Sequence, residues 1–102
     1  MKIIGKENLN IAVGEHIMGW DILINRNMFS DWNPSTDLCQ AMQVLDNFDS
    51  WEIDHKWPHG NKFRVCLEPI LGNICGGIHD TLEVAICLAA LRTLDNVEFE
   101  ES

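Results

Sequence analysis

Basic residues are scarce in this sequence. Seven Lys and Arg stand against 16 Asp and Glu, for a formal charge of −9. Nucleic-acid polymers are held mainly by cations that neutralise phosphates, so no nucleic-acid polymer is expected as a partner. The same balance disfavours anionic membrane surfaces, and no membrane partner is expected. A small anionic ligand is not excluded, because one pocket can be locally basic. Long apolar runs are also missing: none approaches the ~20 residues that span a bilayer. No secretory leader pattern is read at the start. Tyrosine is absent, and the aromatic surface comes from four Trp and four Phe.

The usual chemical signatures are missing too. The four cysteines, Cys39, Cys66, Cys75 and Cys87, make no C-x-x-C pair. Cys39 and Cys87 fall inside apolar helical patterns, and all four read as reduced thiols of a cytosolic protein. His55 and His59 are four apart, but across a strand and a turn, and no H-E-x-x-H occurs, so no metal site is expected. There is no G-x-S-x-G, no P-loop and no dinucleotide-binding glycine pattern. Carboxylate pairs abound only because the chain is acidic. No catalytic residue, cofactor or enzymatic activity is expected.

What is present is the composition of a globular domain: 46% of residues are apolar. Its 102 residues make one domain, 1–102, with enough chain for a single core. Residues 1–6 read as a loose lead-in or a short edge strand. A first helix is expected over Glu7–Met18, with Leu9, Ala12, Val13, His16, Ile17 and Trp20 on its apolar face. Gly14 either weakens that helix or lets another segment come close. Gly19 suits the left-handed position past the helix end, with Trp20 packing back on the last turn.

The stretch from Asp21 to Asp31 alternates poorly. Ile22-Leu23-Ile24 reads as a short strand and Asn25-Arg26-Asn27 as a turn. Met28, Phe29 and Trp32 either plug the core or line a pocket. A second helix is expected from Ser35 to Phe48 on the stripe Leu38, Ala41, Met42, Leu45 and Phe48. Ser35 is the expected N-cap, with Asn33 before Pro34 as a rival.

Ser50–Lys56 and Lys62–Leu67 alternate around Pro58-His59-Gly60-Asn61, the pattern of an antiparallel hairpin. Ile70-Leu71 and Ile74 offer a third strand around a Gly72-Asn73 turn. Gly72 to Gly77 reads as turn and linker. The last helix, Thr81–Asp95, is apolar over most of its circumference and therefore central, with Asp80 and Glu83 forming a variant capping box. Residues 98–102 read as a frayed acidic tail. The fold class is α+β: three helices layered on a small antiparallel sheet. A homo-oligomer is expected, since such a domain often leaves a sheet face or edge to cover.

One constellation exceeds its structural need. Ser35-Thr36-Asp37 places two hydroxyls and a carboxylate at one expected helix start, and Trp20 and Trp32 lie close in sequence. Aromatic faces with a few fixed polar groups are the usual makeup of a small-molecule pocket. The plainer account is a cap beside packed tryptophans. In the binding account, Trp20 and Trp32 stack on a base. Asn33, Ser35, Thr36 and the helix-start N–H groups hold polar atoms or a phosphate, and Asp37 accepts from a ribose hydroxyl or base amine.

Three stretches, LNIAVGEHIMGW (9–20), NPSTDLCQAMQV (33–44) and TLEVAICLAAL (81–91), together resemble the phage ABA-sandwich domain family in order and spacing. The resemblance covers nearly the whole chain and implies an α-β-α sandwich of phage or prophage origin, working in the cytoplasm of the infected bacterium. It brings no settled activity. Members often carry Arg after the Cys of the last helix. Here Leu88 follows Cys87, and Arg92, one turn later, is the candidate substitute for holding an anion. By analogy, the resemblance implies an anti-defence protein that sequesters a nucleotide messenger of host immunity. The alternative is an acidic protein-interaction module that blocks a host enzyme or nucleic-acid-binding protein.

Overall fold

A computed structural model describes residues 1–22, 29–55, 62–68 and 74–101, with the backbone alone at Glu68, Ile74 and Cys75. The elements run β1 (Lys2–Ile4), α1 (Lys6–His16), α2 (Leu38–Leu45), β2 (Ser50–Asp54), β3 (Phe63–Glu68), β4 (Ile74–His79), α3 (Leu82–Arg92) and β5 (Glu98–Glu100). This is the expected α+β class, with three helices and a three-stranded antiparallel sheet in the order β2-β3-β4 among the described residues. The expected strand at 22–24 and the turns at 25–27, 58–61 and 72–73 fall on or extend into residues outside the described ones.

Helix α3 occupies the centre. Every residue from Val84 to Leu91 is buried, so its near-continuous apolar run has neighbours on all sides. The sheet packs on one side of it through β3 and β4, and α1 and α2 pack on others. The core joins Leu9 and Val13 of α1, Ala41, Val44 and Leu45 of α2, and Val65 and Leu67 of β3 to this helix.

Gly76 and Gly77, expected in a linker, lie inside β4. The register steps from Val65 opposite Gly77 to Leu67 opposite Ile74, so β4 carries an extra residue there, a β-bulge. A Cβ on Gly77 would stand 2.0 Å from the Ala85 carbonyl oxygen and 2.8 Å from the Ala89 methyl. A Cβ on Gly76 would stand 3.0 Å from Cδ of Arg92. Both glycines therefore face α3, and the helix settles on the strand because no side chain separates them.

The ends of the chain also depart from expectation. Residues 98–100 are no frayed tail: Lys2, Ile3 and Ile4 of β1 pair in parallel with Glu98, Phe99 and Glu100 of β5. The N-terminal ammonium donates to the Asn96 carbonyl at 2.8 Å, and His79 Nε2 lies 2.9 Å from the Glu101 carboxylate. Acidic composition pointed to a solvated tail, but a partner strand at the opposite end of the chain satisfies its backbone. Of the two readings of residues 1–6, the short strand is the one observed.

Smaller corrections concern helix ends. Helix α2 starts at Leu38, not Ser35, and Asp37 is its N-cap, accepting from Gln40 N–H at 3.2 Å. Helix α3 is preceded by Thr81 with no side-chain cap, so the Asp80–Glu83 box does not form. Thr81 N–H donates instead to His79 Nδ1 at 3.1 Å. His16, expected on the apolar face of α1, is exposed. Cys39 and Cys87 are free thiols, whereas Cys66, expected to be reduced, is disulfide-bonded.

Candidate functional site

The site grows from one side of α1. Glu7, Asn10 and Ile11 follow the i, i+3, i+4 spacing that puts side chains on one helical face, and Gly14 comes one turn later. The chain leaves α1 through Gly19, whose φ of +74° marks a left-handed position, and Trp20 N–H returns to the Gly14 carbonyl at 3.0 Å. That turn sends the following segment back along the helix it has just left.

Gly14 is where the two meet. A Cβ there would stand 2.0 Å from Cδ1 of Ile22 and 3.0 Å from Nε1 of Trp32. With only hydrogen at that position, both side chains approach the helix axis. Trp32 Nε1 donates to the Asn10 carbonyl at 2.9 Å, and Ser35 N–H donates to Asn10 Oδ1 at 2.9 Å. Asn10 thus anchors the returning segment twice, once by its main chain and once by its side chain. Each such bond contributes on the order of 1 kcal/mol.

An aromatic cluster stands on these anchors. Trp20 stacks on Phe29, with centroids 4.9 Å apart and planes at 15°. It meets Trp32 edge to face at 4.7 Å and 76°. Between this cluster and α1 lies a half-open cavity of about 240 Å³. Its apolar walls are Ile11, Ile22, Phe29 and Trp32, and its polar groups come from Glu7, Asn10 and Ser30. The volume falls below the ~300–1,000 Å³ of drug-sized pockets, which makes room for one ring system and not for a whole dinucleotide. Glu7 in the first turn is also favoured by the helix dipole.

The residues singled out in the sequence divide. Trp32 lines the cavity, and Trp20 backs it by packing on both Phe29 and Trp32. Ser35 is 1% exposed, and its hydroxyl has no hydrogen-bond partner among the described residues. Asn33 Nδ2 donates to Thr36 Oγ1 at 3.0 Å, and Asn33 N–H donates to Gln40 Oε1 at 2.5 Å. Asp37 serves as the cap already described. Asn33 and Asp37 bind the loop to α2, Thr36 bonds to Asn33 within the loop, and none of the four is among the cavity-lining residues.

Arg92 lies elsewhere. Its Nε donates to the Val97 carbonyl at 3.1 Å and its Nη1 to the Gly76 carbonyl, which ties α3 to β4 and to the chain before β5. Burial pulls its guanidinium below its ordinary pKa. Sequence reasoning missed Glu7, Asn10 and Ser30. The i, i+3, i+4, i+7 run of Glu7, Asn10, Ile11 and Gly14 was available as a signal, a mixed face ending in the one small residue of the helix that permits close approach.

The site is a helix-floored aromatic pocket on a small α+β domain. Residues 11–91 match the phage ABA sandwich domain, and the chain belongs to that family. The family is not a known enzyme family. Glu7 and Asn10 precede the matched stretch. No curated protein and no solved structure matches the chain. Among the described residues, no helix is long and apolar enough to cross a membrane.

Proposed function

We propose that this phage protein binds and sequesters a small host molecule, a nucleotide of immune signalling, without transforming it. The observation that carries this reading is the cavity of about 240 Å³ between α1 and the Trp20–Phe29–Trp32 cluster. A nucleobase is flat, and stacking on an aromatic face is favourable for any base, worth ~1–3 kcal/mol. Trp32 is held for that contact by its Nε1 bond to Asn10 and by its edge-to-face packing with Trp20.

The charge distribution dictates orientation. With a formal charge of −9 and Glu7 at the cavity, a phosphate is repelled from the interior. The base therefore enters and the phosphate stays in solvent. Such a protein works in the host cytoplasm by mass action, lowering the free concentration of its ligand.

Calorimetric titration with cyclic nucleotides and cyclic ADP-ribose isomers tests the proposal. Binding tighter than about 10 µM, or −6.8 kcal/mol, by at least one supports it. Weaker binding by all of them overturns it. Ligand recovered unaltered after denaturing the complex separates sequestration from turnover.

A further inference from the structure

The polar groups of the cavity are few, Glu7, Asn10 and Ser30, and a hydrogen bond orients the amide of one of them. Asn10 Oδ1 is taken by Ser35 N–H at 2.9 Å, which fixes the amide so that Nδ2 is its remaining donor. That Nδ2 has no partner among the described residues, and Asn10 lines the cavity. Glu7 stands three residues earlier on the same helix face, within side-chain reach of Asn10. Its carboxylate is in no ion pair among the described residues and, when ionised, only accepts hydrogen bonds. The cavity lining therefore carries an amide donor and a carboxylate acceptor three residues apart on α1, together with Trp32.

We propose, resting on the nucleotide reading above, that this edge selects a guanine-type base. The guanine carbonyl O6 accepts from Asn10 Nδ2. The neighbouring N1–H and exocyclic N2–H donate in parallel to the two oxygens of Glu7, and the ring face lies on Trp32. Hypoxanthine lacks the exocyclic amine and engages one carboxylate oxygen. Adenine turned to match the same two groups also offers the carboxylate a single N–H. The discrimination comes from Glu7, and Asn10 sets the register. Ser35 is a positioning residue, since its N–H decides which end of the Asn10 amide faces the ligand.

The experiment is a titration of the whole protein with GMP, IMP and AMP, which share one phosphate, repeated on Glu7→Gln. GMP is expected to bind on the order of tenfold tighter than IMP and AMP, the scale of one added charge-assisted base contact. Glu7→Gln is expected to weaken all three, GMP the most because it loses two carboxylate contacts against one for IMP and AMP, so that the GMP preference falls to within about twofold. Equal affinities for all three in the parent protein overturn the guanine assignment and leave the pocket reading standing. No binding of any of the three overturns the guanine assignment, and the titration with cyclic nucleotides and cyclic ADP-ribose isomers then decides separately whether the sequestration reading falls with it. A GMP preference that survives in Glu7→Gln removes Glu7 as its source and overturns the assignment. Circular dichroism of the variant, with Glu7 on the exposed side of α1, checks that the helix is intact.

Discussion

Two helices of this molecule accept a neighbour through glycine, and they do so by different physics. At α3, Gly77 lies against backbone, with the Ala85 carbonyl where a Cβ would go. At α1, Gly14 lies against side-chain tips, Cδ1 of Ile22 and Nε1 of Trp32. Backbone inside a packed core has nowhere to move, because interiors are near crystal density. An Ile terminal methyl can rotate away. The first interface therefore defines the fold and tolerates nothing added. The second is adjustable and held by a few hydrogen bonds, which is where a binding site is expected.

The sharpest way to break this comparison is Gly77→Val. The added side chain collides with α3 main chain, and a loss of about 3 kcal/mol or more, or failure to fold, is expected in chemical denaturation. A near-neutral result would mean that α3 does not rest on β4 as described.

Alkali tests the same buried region. Cys87 is buried, and burial, reinforced by Glu83, pushes its thiol up to about 12 from an ordinary 9.0. The folded state thus holds a proton that the unfolded chain releases, so stability is full below about pH 9 and falls as pH rises toward 12. Urea titrations at stepped pH should show a drop that Cys87→Ala lacks. In the native state at neutral pH a thiol reagent should label exposed Cys39 and spare Cys87.

Asp37→Ala tests the loop that carries the pocket's far side. Losing the cap bond to Gln40 N–H should cost about 1 kcal/mol in denaturant midpoint experiments. Substituting Ser35 or Thr36 would not remove that bond, because neither caps α2.

The smallest stability change is expected from Gly14→Ala. A gain of up to ~1 kcal/mol in helix propensity offsets the displacement of Ile22, leaving the net change within about 1 kcal/mol. The displaced Ile22 narrows the cavity, so nucleotide affinity should fall severalfold while the melting temperature holds. If Gly14→Ala unfolds the protein as Gly77→Val does, the two interfaces are alike and the contrast fails.

Much of the fold was legible in single elements. The all-round apolar pattern of residues 82–91 required a central helix, and the alternation in 50–56 and 62–67 required a hairpin. Gly19 announced the end of α1 because only glycine takes a left-handed position without strain. The site was legible in part. The tryptophans drew notice by size, but the hydroxyls and carboxylate of 35–37 misled, since a run of capping residues does not say which one caps. Asp37 took the role because its backbone is extended there, at φ −113° and ψ 111°. Glu7 and Asn10 stayed hidden because a polar residue on a surface helix looks like a solvated one until something folds over it.

The sequence by itself determined the class, the central helix, the hairpin and the family, because periodicity and caps are local and survive without knowledge of neighbours. Tertiary structure alone decided that residues 98–100 are a strand, that Gly76 and Gly77 are an interface and that Asn10 is the anchor of a pocket. Each of these depends on a partner in another element or loop: Lys2–Ile4 for the strand, α3 for the glycines, Trp32 and Ser35 for Asn10. No local pattern records such a partner, since the physical cause of each is a contact that exists only once the chain has closed on itself.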